Sequence, residues 1–116
     1  YGISDLEALT RDTHKFESRY DRFLVGPYPE RRDLFVARSP IHHVERIARP
    51  VVFFQGIDDK VVPASQTERM AAALRARGVT AEYHAYEDEQ HGFRKAETIR
   101  HVLETELAFF RNVLGL

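Results

Sequence analysis

No cysteine occurs among the 116 residues, so neither a disulfide framework nor a thiolate metal site is open to the chain, a composition that suits a reducing cytoplasm. An excess of charge is also missing. Seventeen basic residues against eighteen acidic ones leave a formal net charge of -1, and no summed field draws the chain to nucleic acid or to an anionic membrane. Nor is there an apolar run of membrane-spanning length, and the opening YGISDLEALTRD has neither the basic start nor the apolar centre of a signal peptide. These absences lead to an expectation of a soluble, cytoplasmic protein with no nucleic-acid or membrane partner. Position 1 is Tyr1 rather than methionine, and the sequence reads as a piece of a longer polypeptide.

What is present supports a core. An apolar fraction of 43% and an aromatic fraction of 11% are ordinary for a globular domain. The length suits one domain. With no internal repeat and no Gly/Ser-rich linker, residues 1–116 are read as a single unit.

The chain opens with short helices. Ser4 to about Leu24 reads as one or two, with Ser4 or Asp5 as the N-cap, and Gly26-Pro27 ends the run. PERRDLFVARSP gives another, with Pro29 at a first helical position and Ser39-Pro40 as its stop. IHHVERIAR adds a turn or two before Pro50. VVFFQG, Val51 to Gly56, is then a continuous apolar run of strand length without alternation, which predicts a central parallel strand covered on both faces. A helix from Ala64 to Arg77 stopped by Gly78 follows, then a strand over Thr80 to Glu87. Finally, Ile99, Leu103, Leu107, Phe110 and Leu114 form a stripe at spacings of three and four, a helix with one buried face. The fold class is α/β: short helices followed by a parallel β-α-β-α unit.

Residues just past the carboxyl ends of parallel strands line the usual ligand crevice of such a sheet. Asp58 and Asp59 follow the first strand, and His91 follows the second. Neighbouring strands lie about 5 Å apart, so an acid and a histidine on this rim can touch. An aspartate accepting a bond from imidazole Nδ1 fixes the tautomer whose Nε2 takes a proton from a nucleophile. The order acid then histidine is that of α/β-hydrolases. The nucleophile is not found: Ser4, Ser18, Ser39 and Ser65 all lie outside any G-x-S-x-G elbow, which assigns the serine to sequence upstream of Tyr1.

FQGIDDKVVPASQTERMAAALRARG followed by EDEQHGFRKAETIRHVLETELAFF closely resembles the C-terminal end of the catalytic domain of the prolyl oligopeptidase family of serine peptidases, in its acylaminoacyl peptidase and dipeptidyl aminopeptidase branch. The preceding residues are similar to the same branch, so the resemblance covers nearly the whole chain. It implies the C-terminal portion of an α/β-hydrolase fold that hydrolyses short or acylated peptides without a cofactor. It also implies Asp58 as the triad acid, His91 as the general base, and Asp59 and Lys60 beside the substrate cleft, with no nucleophile in this chain and no activity in isolation.

Each residue has a plainer reading. Asp58-Asp59 can be a capped turn, with Asp59 bonding loop amides. Lys60 is a surface charge or a substrate contact. His14, His84 and His101 are isolated, the His42-His43 pair points two ways, and none has metal-ligand spacing, so no metal is expected. RRDLFVAR is a solvated helix face. The alternative to a peptidase fragment is a non-catalytic binding or oligomerisation module of the same ancestry. In either case the bare strand edges and apolar faces of the isolated chain lead to self-association.

Overall fold

Val51–Gly56 forms β1 and Ala81–Tyr86 forms β2. They pair in parallel, from Val51 opposite Ala81 to Gly56 opposite Tyr86. This is a computed structural model, and it describes residues 1–12 and 18–116. The predicted strand-helix-strand-helix order is present, with α4 at Ala64–Ala76 and α5 at Ala96–Leu114. Before it come α1 (Leu6–Asp12), α2 (Ser18–Leu24), α3 (Arg32–Arg38) and a 3₁₀ segment (Pro40–Arg46). The middle of the expected Ser4–Leu24 helical stretch, His14 included, lies outside the described residues. Asp5 is the cap of α1: its Oδ1 accepts the Ala8 amide at 3.0 Å, satisfying one of the donors a helix start leaves unpaired. Pro29 is not a first helical residue, since α3 begins only at Arg32.

α4 is made by good helix formers with small and apolar residues recurring on one face. Thr67, Met70, Ala71 and Leu74 are all buried. Met70, Leu74 and Ala81 form the centre of the core, with Ile41, Val44, Ile47, Val51, Phe53 and Val79 around them. Gly78, with φ of 78°, ends the helix as expected. Its amide bonds the Arg75 carbonyl, and Val79 N–H bonds that of Leu74, the wrapping that a left-handed residue permits.

A second, polar layer ties the chain start to α4. Gln66 is 1% exposed; its Oε1 accepts the amides of Ser4 and Asp5, and its Nε2 donates to the Asp5 carbonyl. Arg69 closes the same junction on Asp5 at 2.8 Å. In α3 the expected solvated face is present beside one buried side chain: Phe35 is fully buried, while Arg32 reaches Glu7 at 2.6 Å.

Two burial expectations are corrected. β1 is not a central strand covered on both faces: it belongs to a two-stranded sheet, and Val51 to Phe54 are only partly buried. The stripe of α5 is likewise uncovered. Ile99, Leu103, Leu107, Phe110 and Leu114 are all exposed, and Phe109 is the apolar residue of this helix that is buried. The helical period is as read from the sequence, but no described element packs over that face.

Candidate active site

The rim beyond the carboxyl ends of β1 and β2 carries two loops held against each other. Ile57 N–H bonds the Tyr86 carbonyl and Asp58 N–H bonds that of Glu89, each at 3.0 Å. Gly56 sits at the crossing, where a Cβ would lie 2.4 Å from the Glu89 carbonyl oxygen and 2.6 Å from that of Gln90. Only a residue without a side chain allows this approach. Beneath the first loop Gln55 is fully buried. Its Nε2 donates to the carbonyls of Gly56 and Val62, and its Oε1 accepts the Thr67 hydroxyl, so the loop is tied to α4 from inside.

His91 meets Asp59, not Asp58. The His91 Nδ1 to Asp59 Oδ2 distance is 2.9 Å, and the Asp59 carboxylate is shielded from solvent while the imidazole is 41% exposed. The other oxygen, Oδ1, accepts the amides of Val61 at 2.9 Å and Val62 at 2.8 Å. Asp58 is exposed and joins the rim through its backbone. The expectation that Asp58 contacts the histidine is therefore corrected. The physical reason is the tight turn at the strand end, where Asp59 N–H reaches back toward the Gly56 carbonyl at 3.3 Å and brings the second acid inward. The expectation that Asp59 bonds loop amides holds, but it describes one of two carboxylate oxygens. An aspartate serving the amides two and three residues on is fixed in a turn, and because those donors are main-chain groups the sequence carries no mark of which acid does so.

This geometry has a definite acid-base capacity. An ionised carboxylate only accepts, so the proton of the contact lies on Nδ1 and the lone pair of the neutral ring on Nε2. Nε2 has no hydrogen-bond partner among the described residues. The Tyr1 ring lies 4.7 Å from the imidazole, and Phe93 meets the edges of Tyr1 and Tyr86. Next to His91 opens a cavity of about 760 Å³, lined chiefly by apolar groups that include Leu6, Leu9, Leu24 and Val61. A concave apolar site with a few convergent polar groups is the usual form of a small-ligand pocket. Lys60 is exposed on the loop that carries Asp59.

None of Ser4, Ser39 and Ser65 is bonded to His91. Ser4 donates its hydroxyl to the Gln66 carbonyl at 2.6 Å and Ser39 donates to that of Phe35 at 2.6 Å, both buried; Ser65 is exposed on α4. Among the other histidines, His84 and His101 are not isolated. Their rings meet at 5.7 Å, His84 stacks on Phe54, and His101 Nδ1 lies 2.8 Å from the Tyr86 hydroxyl. Strand and helix positions far apart in sequence gave no sign of that pairing.

Sequence reading also passed over Glu89. It is 2% exposed, and its carboxylate accepts the amides of Arg94 at 2.9 Å and Lys95 at 3.0 Å. Burial raises its pKa, but these two amides and the Thr98 hydroxyl outweigh that and hold it below the ordinary glutamate value. A buried charge held mainly by backbone donors is a feature that composition and spacing do not reveal.

The model of the prolyl oligopeptidase family matches residues 1–116. Among solved structures, a puromycin-hydrolyzing peptidase of Mycobacterium tuberculosis superposes with a TM-score of 0.96 at 46% identity, covering 99% of this chain and 18% of that one. A puromycin hydrolase superposes with a TM-score of 0.93 at 36% identity over 98% of this chain and 17% of its own. Dipeptidyl peptidase family member 6 of Caenorhabditis elegans is 32% identical over 68 residues, 59% of this chain and 9% of that protein. The chain thus spans under a fifth of each of these three relatives, and no described helix is long and apolar enough to cross a membrane.

Proposed function

Because the chain belongs to the prolyl oligopeptidase family over residues 1–116, we propose that it carries the acid and the base of a serine peptidase, within one portion of an α/β-hydrolase fold. His91 is the general base and Asp59 the triad acid, while the serine comes from residues outside these 116. The observation that carries this reading is the 2.9 Å contact of His91 Nδ1 with a buried carboxylate whose second oxygen is already held by two amides.

In the reaction, His91 Nε2 takes the proton of the serine hydroxyl as its oxygen attacks the scissile carbonyl carbon. The imidazolium then gives that proton to the departing amine as the C–N bond breaks, and water repeats the sequence on the acyl-enzyme. Asp59 stays ionised throughout and stabilises the imidazolium. The substrate class is the amide bond of short peptides, acylated peptides or aminoacyl amides, in keeping with the relatives that hydrolyse puromycin. The apolar cavity beside His91 accepts a bulky apolar side chain next to the cleaved bond. With the nucleophile supplied from outside, the 116 residues alone are inactive.

The test is His91→Ala in the complete polypeptide, read as turnover of an aminoacyl or dipeptidyl arylamide. Loss of roughly four to six orders of magnitude in kcat is expected, by analogy with removal of a triad member elsewhere. Turnover near that of the unmodified enzyme would remove His91 from the chemistry.

A further inference from the structure

We propose that Glu89 is a positioning residue for His91, setting the place of the imidazole by closing the loop that bears it; this rests on the peptidase reading above. His91 is half exposed, and its side chain is held by a single hydrogen bond to Asp59. The position of Nε2 is therefore fixed largely by the backbone of residues 89–95. One residue clamps both ends of that stretch. The Glu89 carbonyl accepts the Asp58 amide at 3.0 Å, joining the histidine loop to the loop of the acid. Its carboxylate reaches ahead to the amides of Arg94 and Lys95. Between these anchors Gln90 and Gly92 form an antiparallel bridge around His91, and Gly92 has φ of 95°, a conformation that favours glycine.

A cap for α5 is the plainer role, and the placement of the bonds speaks against it as the whole account. α5 begins at Ala96, and both amides taken by the carboxylate precede that residue. The Thr98 hydroxyl is the contact within the helix. The bonds therefore serve the loop first. Glu89 touches no reacting atom and acts through His91. Displacement of a catalytic group by about 1 Å costs on the order of 100-fold in rate, so a loosened loop reads out in kcat.

The experiment compares Glu89→Ala and Glu89→Gln with His91→Ala in the complete enzyme, measuring kcat, KM and melting temperature with one arylamide substrate, well below the lowest melting point. The expected kcat loss is ~100-fold for Glu89→Ala and ~10-fold for Glu89→Gln, whose amide oxygen keeps one of the two acceptors, with KM within about two-fold. If Glu89→Ala fails to fold, Glu89→Gln decides alone. A lowered melting temperature with kcat unchanged in the folded variants would make Glu89 a structural residue only and overturn the inference. Retained turnover in His91→Ala would sink the peptidase reading instead, so the two failures are distinguishable.

Discussion

α4 and α5 are both amphipathic helices following a strand, yet only one has its apolar face covered. In α4, Met70, Ala71 and Leu74 are buried against β1, β2 and the 3₁₀ segment. In α5, Leu103 is 60% exposed and Leu107 is 54% exposed, although the stripe is as regular. Periodicity thus specifies a face and its direction, while what lies across from it is decided by other parts of the chain. The rim behaves like α4. No buried side-chain nitrogen or oxygen among the described residues lacks a hydrogen-bond partner, so the buried polar groups of the loops that hold Asp59 and His91 are satisfied by described residues.

The rim is most vulnerable at Gly56. Gly56→Ala places a methyl group against two carbonyl oxygens, forcing the acid and histidine loops apart; kcat of the complete enzyme should fall by about 100-fold or more, as steady-state kinetics would show. Normal kcat would mean that the loops adapt freely. A large effect is also expected on the other side. The isolated chain should self-associate through the uncovered α5 face and the free strand edges. Changing Leu103 and Leu107 to lysine should shift it toward monomer in light scattering over a concentration series. A monomer at all concentrations before the change would refute the expectation.

Smaller effects are expected in the two helices. Leu74→Ala removes a fully buried side chain and should cost about 2–5 kcal/mol in the complete protein. Leu107→Ala, measured on the isolated chain at a concentration where light scattering finds it monomeric, should cost far less, because much of that side chain is then in water. Denaturant unfolding measures both. The smallest effect is electrostatic. The hydrogen bond from Arg32, opposed by burial and aided by Tyr28, holds the Glu7 carboxyl below its ordinary value. A lowered folded pKa contributes stability that is fully present above the unfolded pKa and is lost as pH falls through the folded value. Glu7→Gln should therefore lower the melting temperature near neutrality, where the contribution is fully present, and flatten the acid limb below about pH 4.5, where the unmodified protein loses it as well. An unchanged acid limb would deny the linkage.

Much of the fold was legible because its signals are local. Val51–Phe54 is an unbroken apolar run at the start of β1, Gly78 ends α4, and the α5 stripe keeps helical period. The site was half legible. Placement after consecutive parallel strands brings His91 to the rim beside the acids, since topology fixes which loops are neighbours. The choice between Asp58 and Asp59 was not, because it turns on which way two adjacent side chains point after a tight turn. Glu89 stayed hidden for a related reason: its partners are main-chain amides, and any residue type at Arg94 and Lys95 offers the same donor. The burial of α5 was misread because it depends on chain that the period of one helix cannot describe.

The most direct test of the central claim is the turnover of Asp59→Asn beside that of Asp58→Asn in the complete enzyme, with the same arylamide substrate. Asparagine preserves shape while removing the charge that orients and stabilises the imidazolium. If Asp59 is the triad acid, turnover falls by roughly four orders of magnitude in Asp59→Asn and changes within about two-fold in Asp58→Asn, where the side chain is exposed. The reverse pattern, with Asp58→Asn inactive and Asp59→Asn near normal, would contradict it.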